Sequence, residues 1–149
     1  MNINDIDTPS VLIDLDKVEA NLKAAQDYAD ASGLTLRPHV KTHKLPRFAR
    51  LQQDLGAVGI TAQKLGEAEA MADGGLDDIF LPYNILGRAK LDRLFALHQR
   101  TALSVTADNM PTIAGYAARF TESSQPLAVL IECDTGAGRC GVQTAAEAV

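Results

Sequence analysis

Eight consecutive residues, Arg37-Pro38-His39-Val40-Lys41-Thr42-His43-Lys44, gather an unusual amount of nitrogen chemistry. Leu34 and Leu36 precede them and Pro46 follows, so they read as the end of a strand leading into a helix. Side chains alternate along a strand, which places Arg37, His39, Lys41 and His43 on one face and Val40 and Thr42 on the other. A lysine between two histidines on one face can condense with a carbonyl compound to form an imine. That reaction needs an unprotonated amine, a form favoured by burial or by neighbouring positive charge. The same eight residues also fit an edge strand with a solvated basic face.

Other chemistry-bearing residues are more scattered. Gly136-Ala137-Gly138-Arg139-Cys140-Gly141 spells the dinucleotide fingerprint G-x-G-x-x-G after a strand. In that fingerprint, however, a helix opens within the glycines and meets the pyrophosphate, whereas the nearest helix cap here is Thr144. The acidic partner for a ribose, expected about 20 residues further on, lies beyond Val149. The glycines suit a loop that aims Arg139, whose rigid fork holds oxyanions, back over the strand ends. They suit an ordinary strand-to-helix turn as well. Gln63 and Lys64, Tyr83 and Asn84, and Asp134 and Thr135 end three other strands, where they serve either a site or a cap. Glu67, Glu69, Asp73, Asp77 and Asp78 read as a solvated helix face and turn rather than a metal site. His98 reads as exposed among charged neighbours, and Cys133 as small core filling.

The elements that must position these groups alternate with a steady period. Candidate strands span Thr35–Lys41, Ala57–Gln63, Asp78–Tyr83, Ala102–Ala107 and Leu127–Asp134, with helical patterns between them. Asp16 caps the first helix with Glu19 in support, and Val18, Leu22, Ala25 and Ala29 form its apolar stripe. Pro46 opens the second, with Phe48, Leu51 and Leu55 inward. Leu65, Ala68 and Met71 mark the third, which Gly74 and Gly75 end. Leu91, Leu94 and Phe95 mark the fourth. Asp108 caps the fifth, with Pro111 in its first turn and Ile113 and Phe120 apolar. Thr144 and Glu147 start a sixth that stops almost at once.

This pattern predicts an α/β fold with a parallel sheet. It fits a partial (β/α)8 barrel of about five βα units, since closure takes roughly 250 residues. An open doubly wound sheet fits the same periodicity. The abandoned helix at Thr144 favours the barrel, and with it an incomplete chain.

Composition narrows the function classes. The chain's 149 residues suffice for one domain and one core, and its 46% apolar and 22% charged content is ordinary for a soluble globular protein. A net charge of −5 gives a nucleic acid no electrostatic footprint, and the absence of Trp leaves no stacking platform for bases. No apolar run is long enough for a bilayer, and the polar, acidic start is not a signal peptide. Cys133 and Cys140 fit no zinc spacing, and two reduced cysteines suit a cytoplasmic protein.

Taken in order, the motifs resemble the fold-type III pyridoxal-phosphate enzymes, alanine racemase and its relatives. Thr8-Pro9-Ser10-Val11-Leu12-Ile13-Asp14-Leu15-Asp16 is similar to their entry strand and first helix. Arg37 to Lys44 resembles the cofactor-lysine segment of the D-threonine aldolase and D-serine dehydratase branch. Ile60 to Glu69, Leu81-Pro82-Tyr83-Asn84, and Glu132 to Gly141 resemble that branch too.

The resemblance implies pyridoxal 5'-phosphate as cofactor, with Lys41 bonded to its aldehyde. It places His39 and His43 around that lysine, Gln63 near the ring, and Arg139 against the phenolic oxygen. It implies a lyase acting on β-hydroxy D-amino acids, by retro-aldol cleavage as in D-threonine aldolase. The alternatives are a D-serine dehydratase or an amino-acid racemase. From other classes, a non-catalytic pyridoxal-phosphate carrier or a nucleotide-binding domain competes. In the family, later barrel strands cradle the phosphate and a β-rich C-terminal domain brings metal ligands. Residues 1–149 therefore correspond to the N-terminal part of the barrel, any divalent metal is held elsewhere, and the full-length enzyme is expected as a homodimer.

Overall fold

A computed structural model describes residues 2–149. Four strands form one parallel sheet: β1 (Ile60–Thr61), β2 (Asp78–Leu81), β3 (Ala102–Ala107) and β4 (Ala128–Ile131). Helices α1 (Leu15–Ala31) and α2 (Pro46–Leu55) precede the sheet. Helices α3 (Leu65–Asp73), α4 (Arg88–His98) and α5 (Met110–Phe120) connect its strands.

The order β1-β2-β3-β4 decides between the two architectures. A doubly wound sheet reverses its order at a switch point, whereas successive units of a barrel wall lie side by side. This chain is a stretch of barrel wall. Ile60 lies opposite Ile79, and Val105 opposite Val129, so apolar positions run in rows across the strands. Ile79, Leu81, Leu94, Val105 and Met71 are fully buried, each contributing about 1.5–3 kcal/mol of apolar burial.

The strand expected at Thr35–Lys41 is largely absent. Val58 N–H donates to Leu36 C=O at 3.0 Å and Thr61 N–H to Pro38 C=O at 2.8 Å, so this segment does flank β1. Pro38 has no N–H to return, and the pairing shrinks to one bridge between His39 and Thr61. Val40–Thr42 then winds into a 3₁₀ turn. The shared face of Arg37, His39, Lys41 and His43 is thereby broken.

The segment expected as strand Ala57–Gln63 likewise shortens to β1. Gly59 lies at φ +157°, and a Cβ there would meet Asp78 C=O at 2.8 Å and the Arg37 guanidinium. That close approach lets Arg37 cross the backbone and grip Asp78 with both Nη atoms, at 2.8 and 3.2 Å.

Helix starts differ by small shifts with clear causes. Asp14, not Asp16, caps α1 through Lys17 N–H, and Gln26 is buried where Ala25 was expected. Asn109, not Asp108, caps α5 through Thr112 N–H. Thr144 to Ala148 makes only turns, with Glu147 N–H on Thr144 Oγ1. Two packing expectations reverse. His98 is buried, edge-on to Phe120 and bonded through Nε2 to Gln125 C=O, and Cys133 is exposed. The acidic residues expected on a solvated face mostly pair across elements: Glu69 with Arg93, Asp73 with Arg100, Asp78 with Arg37 and Glu67 with Lys44.

Candidate active site

Parallel strands deliver all their C-terminal ends to one edge of the sheet, where barrels place their chemistry. That edge carries His39 and Lys41 beside β1, Gln63 after β1, Tyr83 and Asn84 after β2, Asp108 after β3, and the glycine loop after β4.

Lys41 lies in the 3₁₀ turn and is exposed. Its backbone N–H donates to His39 Nδ1 at 3.3 Å, which caps the turn. His39 is half-buried, and burial first and the Lys41 charge second lower its imidazole below the ordinary range. The Gln63 side chain hydrogen-bonds His39 and partly opposes that shift. His39, Lys41 and Gln63 therefore share one small cluster. At neutral pH His39 is uncharged.

Lys44 sits at φ +55°, reversing the chain so that Nζ lies 2.9 Å from Glu67 Oε1. Glu67 Oε2 also accepts Gln63 N–H at 3.0 Å. Its side chain is only 11% exposed, and these partners hold its carboxyl below the usual range against the opposing effect of burial. Of the two lysines in the basic segment, Lys44 is engaged by a carboxylate, while Lys41 forms no salt bridge among the described residues.

His43 turns elsewhere. Its Nδ1 accepts Leu45 N–H at 3.0 Å, and its ring stands edge-on to Phe48, in a groove shared with Val18 and Leu22 of α1. The structure brings it to α1 and α2, not to the His39–Lys41–Gln63 cluster.

Arg139 lies at the far end of the same edge, exposed in a loop whose backbone is closely held. Asp134 accepts the N–H groups of Gly136 and Gly138 and the Gln143 amide, which draws its carboxyl down to about 2. Cys140 Sγ donates to Glu132 at 2.8 Å. The Arg139 guanidinium faces Cys140. The Gly136 and Gly138 N–H groups are satisfied by Asp134 within the loop, so they are not open to cradle a pyrophosphate.

Two participants escaped sequence reasoning. Glu67 carries no local signal, because its partner Lys44 comes from another element. Asp108 had one: Asp108-Asn109 offers two capping residues for a single cap, leaving one carboxylate for other work.

A parallel barrel wall with an unpaired lysine at one strand end and an arginine loop at another defines a class. The alanine racemase N-terminal domain family matches residues 13–149, and the chain belongs to it. D-threonine aldolase from an Arthrobacter species is 41% identical over 92% of this chain and 36% of its own length. The 3-hydroxy-D-aspartate aldolase of Paracoccus denitrificans is 40% identical over 97% of this chain and 38% of its own. The crystal structure of D-threonine aldolase from Filomicrobium marinum superposes with a TM-score of 0.93 at 37% identity, covering 98% of this chain and 40% of that one. The chain thus spans under half the length of these relatives.

Proposed function

We propose that residues 1–149 form the N-terminal part of an alanine-racemase-like barrel in a pyridoxal-phosphate-dependent lyase acting on β-hydroxy D-amino acids. The retro-aldol cleavage named for the two aldolases is the favoured reaction. Family membership supports the cofactor, and one observation supports the site: Lys44 is tied to Glu67, while the Lys41 amine stands open.

The residues present fit two of the cofactor's functional groups, its aldehyde and its phenolate. Lys41 supplies the primary amine that holds its aldehyde, and Arg139 a guanidinium suited to its phenolate. When bound, the cofactor supplies an electron-withdrawing pyridinium that eases rupture of a bond at the substrate's α-carbon. The chain's own residues do the rest. His39, uncharged and hydrogen-bonded to both the Lys41 backbone and Gln63, fixes the turn that presents the amine. Glu67 keeps the second lysine from competing for the aldehyde.

Borohydride reduction of the full chain with pyridoxal phosphate, followed by peptide mapping, tests this. The expected result is a permanent label on Lys41, lost in Lys41→Ala and kept in Lys44→Ala. A label on Lys44, or none on the segment from Arg37 to Lys44, refutes the assignment.

A further inference from the structure

We propose that Asp108 is a positioning residue that fixes the Arg139 loop against the neighbouring strand ends, an inference resting on Arg139 as a cofactor contact. The loop has several anchors, but most belong to its own strand exit. Asp134 holds Gly136 and Gly138, and Glu132 holds Cys140 through its side chain and Val142 through its carbonyl. Glu132 also ties the base of the loop to β3, through its N–H on Ala107 C=O and the Thr106 hydroxyl on its carboxylate, but none of these bonds holds the backbone beside Arg139 directly to a neighbouring strand.

Asp108 supplies the bond to the neighbouring strand. Asn109 has taken over the capping of α5, so the Asp108 carboxylate is free to reach sideways. Its Oδ2 accepts Gly141 N–H at 2.8 Å, two residues after Arg139. Its Oδ1 accepts the Asn84 amide at 2.6 Å and the Asn109 amide at 2.7 Å. Asp108 N–H donates in turn to Asn84 Oδ1 at 3.3 Å. A continuous chain therefore runs from the end of β2, through the end of β3, to the loop after β4. Gly141 has no room for a side chain, because a Cβ would lie 2.6 Å from Asp134 N. The backbone at this contact is consequently held from both sides. Arg139 hangs between two pinned glycines, Gly138 and Gly141.

Trypsin cleavage after Arg139 reads the latch without any cofactor. In the full chain, Asp108→Ala should speed that cleavage about tenfold while cleavage after Arg88, exposed in the first turn of α4, stays unchanged. The exchanged pair Asn84→Asp with Asp108→Asn restores both an Asn–Asp contact and an acceptor for Gly141 N–H, and should return the slow rate. With pyridoxal phosphate bound, Asp108→Ala should move the pH profile of the cofactor's absorbance in the same direction as Arg139→Ala, and the exchanged pair should restore it. Unchanged cleavage after Arg139 in Asp108→Ala overturns the latch and leaves the cofactor reading standing. Faster cleavage with an absorbance profile that Arg139→Ala also leaves untouched overturns the arginine reading, and the positioning role with it.

Discussion

Tyr116 shows how much a single buried hydroxyl can hold together. It accepts Ile85 N–H at 3.1 Å and donates to Thr106 C=O at 3.2 Å, tying the loop after β2 to β3 from within α5. Burial pushes its phenol from 10.0 up to about 12. The unfolded chain therefore ionises this group first, so its contribution is intact below pH 10 and is lost as pH rises through about 12. Tyr116→Phe leaves Ile85 N–H without a partner and should cost about 1–3 kcal/mol at neutral pH. It should also flatten the alkaline loss of stability in that window. Urea unfolding at neutral pH and again above pH 10 checks both, and a variant as stable as the parent at neutral pH rules out the bonding role.

At the scale of elements, the short β1 depends on a backbone crossing. Gly59 leaves open the path by which Arg37 reaches Asp78, and a methyl group there collides with the Asp78 carbonyl. Gly59→Ala should therefore destabilise the chain by about 1–3 kcal/mol, measured by denaturant unfolding. Gly66→Ala, at a helix position where a Cβ would meet only the Arg93 guanidinium at an ordinary 3.7 Å, should be neutral or mildly stabilising. Equal effects at the two glycines would refute the crowding argument.

The same region marks where sequence reading stopped. The stripes Leu65-Ala68-Met71 and Phe48-Leu51 and the strand Ala102–Ala107 were legible, because burial on one side leaves a period in the sequence. The basic segment reads as a strand only because alternation ignores Pro38, which lacks the donor a ladder needs. Lys41 was visible as an amine among histidines. The divergence of His43 toward Phe48 was not, since it follows from a 3₁₀ turn that rotates successive side chains away from one face. The latch and the Lys44–Glu67 pair join residues remote in sequence, and local patterns carry no trace of such contacts.

At the scale of the whole chain, the two edges of the sheet differ among the described residues. Its β1 side is flanked by Leu36 to His39, but all four residues of β4 are exposed, although they read Ala-Val-Leu-Ile. Val129 and Ile131 line an open groove of about 450 Å³ with Ile113, Tyr116 and Phe120 of α5, while Leu130 points to the opposite face. A strand that is apolar on both faces and unpaired along one edge is a template for association. The 149-residue chain should accordingly bind a hydrophobic dye and self-associate with rising concentration. Replacing Val129 and Ile131 together by Thr keeps strand propensity but wets the groove. Because these side chains are 41% and 53% exposed already, the pair should lower dye binding and sedimentation mass at a cost of under about 1 kcal/mol each. Leu103→Ala, in the buried part of β3, should instead cost about 2–5 kcal/mol. If the two Thr substitutions leave dye binding unchanged, or destabilise as much as Leu103→Ala, then β4 is covered in solution and the open edge is not the surface that associates.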